Sequence, residues 1–212
     1  MAQRSRQVTD ERRRLRGLRR ALTGEERRRA ERRITAALRR LGCAARGRRV
    51  AVYLARDGEV DLSELIRAAR RAGALLYAPR IINRRRRTMR FLPLRDDRAL
   101  KRNWYGIDEP VHDPAIAVAP DRLDIILTPL VGFDRYGHRL GMGAGYYDHA
   151  LRRRRAGRGA FRRPRLIGVA FACQETAPIA TAPWDVPLNM IVTERGIRRP
   201  VRVTLERAGS AT

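Results

Sequence analysis

The chain has 212 residues, 43% of them hydrophobic, and a formal net charge of +26 at pH 7. That length favours one domain with a packed core, and no apolar run reaches the roughly 18 residues of a membrane span. Two cysteines, Cys43 and Cys173, give neither a disulfide framework nor metal-ligand spacing, which points to a reducing cytoplasm.

The charge prompts a nucleic-acid hypothesis. Yet Lys101 is the only lysine among 48 basic residues, and the arginines run along the whole chain with abundant alanine. That pattern fits a GC-rich genome, so the charge reads first as solvated surface arginine whose field steers a polyanionic substrate inward. No specific nucleic-acid partner and no membrane are expected.

Residues 1–9 are polar and read as a flexible N-terminus. Asp10 to about Ala21 reads as an arginine-crowded helix. Thr23-Gly24-Glu25-Glu26 is a capping box that opens a second helix, with Ala30, Ile34, Ala37, Leu38 and Leu41 on its apolar face and Gly42 at its end. Val50–Leu54 is a short apolar run suited to a buried strand, followed by a turn at Arg56–Val60. Asp61–Gly73 reads as a helix, and Leu75–Ala78 as a strand stopped by Pro79. Two strands around one helix make a βαβ unit, whose strands are parallel.

Asn83–Arg87 reads as a basic turn, and Thr88–Leu92 alternates like a strand at one side of the sheet. Residues 93–123 read as an ordered loop in which Trp104 and Ile107 need burial. Asp124–Thr128, Leu166–Phe171 and Met190–Thr193 read as further buried strands. Arg152–Arg165 is a basic turn, and Pro183–Leu188 is a turn constrained by proline. Strands alternating with helices predict an α/β fold: a single three-layer α-β-α domain over residues 10–196, with a mostly parallel, Rossmann-like sheet. Residues 197–212 form a polar basic tail. Ligands in such sheets sit beyond the carboxyl ends of the strands. Glu59, Arg80, the loop before Tyr146 and Asp185 all lie near predicted strand ends.

That loop carries the densest chemistry. Gly137, Gly141, Gly143 and Gly145 sit between a strand and a helix, where backbone N–H groups can approach an anion. Arg139 precedes the close-set glycines, and Tyr146, Tyr147 and Asp148 follow them. An arginine, backbone donors, two rings and a carboxylate suit a phosphate, a flat heterocycle and a metal. By glycine count alone a flexible surface loop is as good a reading.

The run Leu130–Asp134, Gly137 and Arg139-Leu140-Gly141-Met142-Gly143-Ala144-Gly145-Tyr146-Tyr147-Asp148 resembles the signature of the 5-formyltetrahydrofolate cyclo-ligase family. The resemblance extends over residues 10–195, through Thr23–Glu26, Glu59-Val60-Asp61, Trp104–Ile107 with Glu109-Pro110, and Pro183–Leu188. It implies an enzyme of folate one-carbon metabolism that uses ATP and Mg²⁺ to cyclise 5-formyltetrahydrofolate, with ADP and phosphate leaving. It implies a monomer with small-molecule substrates.

Carried over residue by residue, the resemblance assigns the nucleotide to Arg12, Arg139, Gly141, Met142, Gly143, Ala144, Gly145, Tyr146 and Tyr147. Folate falls to Leu54, Glu59, Trp104 and Tyr146, and catalysis to Arg139 and Tyr146. The metal falls to Asp148 and Asp185. Each assignment stands beside a plainer one. Tyr147, Leu54 and Trp104 can be core residues, Asp148 an acid in a first helical turn, and Asp185 a turn residue. His138 reads as solvated, and nothing in the sequence is arranged around His112 or His149. Three positions depart from the family pattern: Val8 where lysine is expected, Ala144 where many members carry glycine or lysine, and Asn189 where aspartate is common.

Overall fold

The computed structural model describes residues 2–95, 100–111, 114–152 and 164–201, with side chains from residue 6 onward. The basic stretch 153–163, His112 and the tail beyond 201 lie outside the described residues. Helices α1 (Ala2–Ala21), α2 (Gly24–Arg40), α3 (Ser63–Arg71) and α4 (Tyr146–Leu151) accompany eleven strands. Seven of these form the main sheet: β1 (Arg49–Ala51), β2 (Leu75–Asn83), β3 (Thr88–Pro93), β6 (Ile125–Pro129), β9 (Arg165–Val169), β10 (Met190–Thr193) and β11 (Gly196–Arg198). Their order is β11-β10-β9-β6-β1-β2-β3. The five inner strands are parallel, and β3 and β11 close the two edges antiparallel. Two hairpins stand apart: β4 (Leu100–Arg102) with β5 (Asp108–Pro110), and β7 (Gly132–Phe133) with β8 (Arg139–Leu140).

The period-2 alternation of the strands sorts their side chains between two cores. Val50, Ile125, Leu127, Ile167 and Val169 face α2 and α3, whose Ile34, Leu38, Leu65 and Ile66 pack on them. Ala51, Ile126, Leu166 and Ile191 face the other way, against Phe91, Phe133, Leu188 and Leu151 of α4. The capping box forms as the sequence predicts: the Thr23 hydroxyl oxygen accepts from Glu26 N, and the Glu26 carboxylate accepts from Thr23 N at 3.0 Å.

Three boundaries and one burial differ from the sequence expectation. The N-terminal helix does not wait for Asp10; it runs from Ala2 because Val8 has a partner, an apolar cluster of Leu15, Val131 and Leu140. Strand β2 passes through Pro79 to Asn83. Leu76 O serves β3 and Tyr77 O serves the β1 side, so Pro79, two residues on from Tyr77, turns its missing N–H past the end of β1. Residues 196–198 belong to the sheet rather than the tail, as the partner of β10. Trp104 is 82% exposed instead of buried, with the Arg84 guanidinium 5.0 Å from its ring centroid.

The arginines of α1 are not all solvated surface. Arg19 is fully buried; it donates to Asp57 O (3.0 Å), Asp57 Oδ2 (3.1 Å) and Leu130 O (3.2 Å). Arg16 and Arg20 bind the same Asp57 carboxylate. Arg27 of α2 donates to Gly58 O (3.0 Å) and to Arg19 O. Burial lowers the Arg19 pKa, yet the group stays charged because an arginine starts far above neutrality. Removing one partner of a buried ion pair leaves the other uncompensated. Arg19→Ala should therefore lower the unfolding free energy by about 3 kcal/mol, read as a lower urea midpoint with an unchanged slope. Substitution of the exposed Arg13 serves as the control and should leave the midpoint within error.

Candidate functional site

Beyond the carboxyl ends of β1 and β6 lies one broad cavity of about 2110 Å³. It is lined by the turn after β1, the hairpin between β4 and β5, the N-terminal helix, and the entire run from Arg139 to Asp148. Of the residues predicted for the site, Arg12, Leu54, Glu59, Arg139, the stretch Gly141–Asp148 and Asp185 all reach this cavity. Trp104 and Arg80 are not among the residues that line it.

The hairpin explains the Trp104 miss. Asn103 Oδ1 accepts from Tyr105 N (2.8 Å) and Ile107 N (3.0 Å), which folds a tight turn and sends consecutive side chains to opposite sides. The inward aromatic is Tyr105, the residue directly before Gly106-Ile107. Its hydroxyl lies 3.2 Å from that of Tyr146, with the rings edge to face at 6.1 Å. Burial first, and this contact second, push the Tyr146 phenol up to about 12. Tyr147 turns toward the second core, where burial and the nearby Glu59 charge raise its phenol further. Both rings line the cavity and both pack against the second core, with burial acting more strongly on Tyr147.

The glycine loop is held by side chains from both sides. Gly143 and Gly145 take left-handed φ values of +101° and +71°, which a side chain would resist. Arg12 Nε donates to Gly141 O at 2.8 Å, and its guanidinium lies against Gly143. Val8, in place of the expected lysine, is apolar lining on the same helix. On the far side, Arg139 is ion-paired with Asp148 and donates to Val186 O. Asp148 Oδ1 also accepts from Val186 N at 3.1 Å, which brings the late Asp-Val-Pro turn beside α4. Asp185 Oδ2 accepts from Ala182 N at 2.7 Å.

This arrangement fits a small hard cation. Asp148 Oδ2 and Asp185 Oδ1 have no protein partner among the described residues. No cluster of three or more acidic, histidine or cysteine side chains exists among those residues. Two carboxylates with phosphate and water completing the sphere is a usual Mg²⁺ set. Asn189 is not part of it: its Oδ1 accepts from Leu166 N at 2.8 Å and its own N donates to Leu166 O, so it clamps β9.

Three further groups escaped the sequence reading. Asp134 is fully buried and accepts from Tyr136 N, His138 N, the His138 ring and Ile179 N. It fixes the turn that delivers Arg139, and His138 is its partner rather than a solvated side chain. Glu109 is 8% exposed and lines the cavity while accepting from Ile81 N (3.0 Å) and Asn103 Nδ2 (2.6 Å). Its place in the Glu-Pro segment was the available signal. His149 is engaged by Arg87 and Arg152.

A sequence model described as the 5-formyltetrahydrofolate cyclo-ligase family matches residues 4–194. The chain belongs to that family. It is 37% identical over 144 residues to the 5-formyltetrahydrofolate cyclo-ligase of Escherichia coli K12, covering 68% of this chain and 76% of that one. With the Haemophilus influenzae cyclo-ligase it shares 32% over 176 residues, 82% and 90% of the two chains. Its fold superposes on the solution structure of Aquifex aeolicus 5,10-methenyltetrahydrofolate synthetase with a TM-score of 0.73 at 27% identity, covering 97% and 99%. Membership makes this chain a ligase of folate one-carbon metabolism, and it accounts for the site's mixture of phosphate, ring and metal features.

Glu59 shows what the site costs the fold. Burial raises its carboxyl pKa, against the opposing Arg56 N–H bond and the Arg19 and Arg56 charges. A carboxyl raised in the folded state adds stability only below its unfolded value, and loses that contribution as pH rises through the folded one. Glu59→Gln keeps the acceptor for Arg56 N and removes the charge. We expect its thermal midpoint to exceed the parent's at pH 7 to 8, with the gap closing below about pH 4.5. A gap independent of pH would show that the carboxyl is not strained by burial.

Proposed function

We propose that the chain binds ATP and 5-formyltetrahydrofolate side by side in this cavity, closes the ring of 5,10-methenyltetrahydrofolate, and releases ADP and phosphate. The carrying observation is one cavity of about 2110 Å³ that joins the glycine loop, the Asp148–Asp185 pair and the Glu59–Tyr146 wall. A site for one small molecule spans roughly 300–1,000 Å³, so this one has room for two substrates in contact.

In the proposed chemistry the formyl oxygen takes the terminal phosphoryl group of ATP, and ADP leaves. N10 then attacks the activated carbon, the C–O bond breaks, phosphate departs, and N10 gives up its proton. No protein nucleophile is needed; the residues position the reactants and neutralise charge. The backbone of Gly141–Gly145 approaches the phosphates, braced by Arg12. Glu59 accepts hydrogen bonds from the pterin and the N10–H region. Tyr146, steadied by Tyr105, offers a flat ring to the pterin, and Leu54 an apolar edge. Asp148 and Asp185 would hold Mg²⁺, which would supply charge neutralisation to the phosphates. Arg139 neutralises Asp148 and lines the same cavity, from which it can share the phosphate charge.

Two unpaired cysteines support a reducing, cytoplasmic setting.

Purified protein with ATP, Mg²⁺ and 5-formyltetrahydrofolate should accumulate the absorbance of the methenyl product. A folded, ATP-binding protein that makes none would refute the reading. Asp148→Asn retains an acceptor for Val186 N but loses charge. The Mg²⁺ concentration for half-maximal rate should rise at least about tenfold, and an unchanged Mg²⁺ dependence would remove Asp148 from the metal site.

A further inference from the structure

Three guanidinium groups reach the glycine loop, and they differ in what else holds them. Arg12 is engaged by Gly141 O. Arg139 is engaged by Asp148 and Val186 O. The third, Arg87, comes from the turn between β2 and β3 and lines the same cavity. Its Nη1 lies 3.9 Å from where a Cβ on Gly145 would stand. Its side chain makes no hydrogen bond or ion pair among the described residues. Arg87 is therefore a cation held over backbone that an anion can approach, with no acid to neutralise it.

The backbone of Arg87 is itself unusual. Its φ is +50°, a left-handed conformation that a non-glycine residue adopts at a cost. Such a conformation persists when its surroundings over-determine it, and here they do. Arg87 N donates to Arg84 O at 3.2 Å, and Arg87 O lies 3.0 Å from His149 Nδ1. The Arg152 Nη1 lies 3.1 Å from His149 Nε2. A guanidinium only donates, so Nε2 carries the lone pair and Nδ1 carries the proton given to the Arg87 carbonyl. His149 stands on α4, four residues after Gly145. The helix that leaves the glycine loop thus fixes the turn that carries Arg87 back over it.

We propose that Arg87 binds the outer phosphates of the nucleotide above Gly145, and that His149 is the positioning residue that sets its backbone. This rests on the reading of the glycine loop as the phosphate site. It gives the loop an uncommitted cation in addition to the two arginines already engaged by protein acceptors.

Arg87→Gly removes the guanidinium and relieves the left-handed strain, so the variant should fold at least as well as the parent. Calorimetric titration without folate should show ATP affinity reduced about tenfold, the scale of one charge-assisted hydrogen bond. AMP affinity and the KM for 5-formyltetrahydrofolate should not change. His149→Leu should weaken ATP binding in the parent and add nothing in the Arg87→Gly background, since the two act through one contact. His149→Gln, whose amide can donate to the carbonyl, should restore most of it. Unchanged ATP affinity in Arg87→Gly, or an equal loss for AMP, would overturn the proposal. A parent protein that binds no ATP would overturn the phosphate reading of the loop and this proposal together.

Discussion

The buried guanidinium of Arg19 is the contact on which the site's geometry depends. It joins α1 to Asp57 and to Leu130 O, so the N-terminal helix, the turn after β1 and the segment after β6 meet at one charge. Asp57 is held with φ at +54° and accepts from three arginines of α1. Glu59 lies two residues beyond it, and Arg12 two helical turns before Arg19. A cavity-lining carboxylate and a loop-bracing arginine are thereby referenced to the same ion pair. The helix needs this anchor because its own surface is mostly charged; among its described side chains Leu15 is the one fully buried apolar residue, beside a half-buried Val8. A charge-poor helix of that length would have needed an apolar stripe to dock as firmly.

On the opposite side a second pair performs the same task with a different outcome. Arg139 and Asp148 neutralise one another at the junction of the glycine loop, α4 and the late turn. Both members are residues that phosphate and metal chemistry would use. Their pairing keeps a carboxylate and a guanidinium from standing buried and uncompensated before substrates arrive. Both carboxylate oxygens of Asp57 are taken by arginines, whereas Asp148 Oδ2 has no hydrogen-bond partner among the described residues. Both pairs are architecture, and the second ties the glycine loop to the helix that leaves it.

Much of this was legible in the sequence. Alternating apolar runs gave the parallel strands because a strand buried on both faces has little choice of residue. The Thr23–Glu26 box marked a helix start because its hydrogen bonds are local. The run from Arg139 to Asp148 announced the site because closely set glycines and a following carboxylate have few structural uses in common. What stayed illegible was of another kind. Trp104 looked like the aromatic of the hairpin, and only the Asn103 turn shows that Tyr105 points inward. Val8 looked like a missing contact; of its apolar neighbours only Leu15 is local, and Val131 and Leu140 lie more than a hundred residues away. Arginine was the hardest case: with so many in the chain, composition hid the few that are buried.

Asp134 shows why such groups evade a reading of the sequence. Its carboxylate satisfies a local turn through Tyr136 N and His138, and that half follows from spacing alone. The other half is the bond from Ile179 N, 45 residues away, which binds the turn to the segment forming the cavity's far wall. Local hydrogen bonding would be satisfied by an exposed aspartate as well as by a buried one. Burial turns the same five-residue motif from a surface turn into a joint between two walls, because a desolvated carboxylate must find every partner within the protein. The same reasoning applies to Arg19, Arg139 and Glu109. In each the residue type is common and the local sequence ordinary, and the function comes from a distant partner that makes burial affordable.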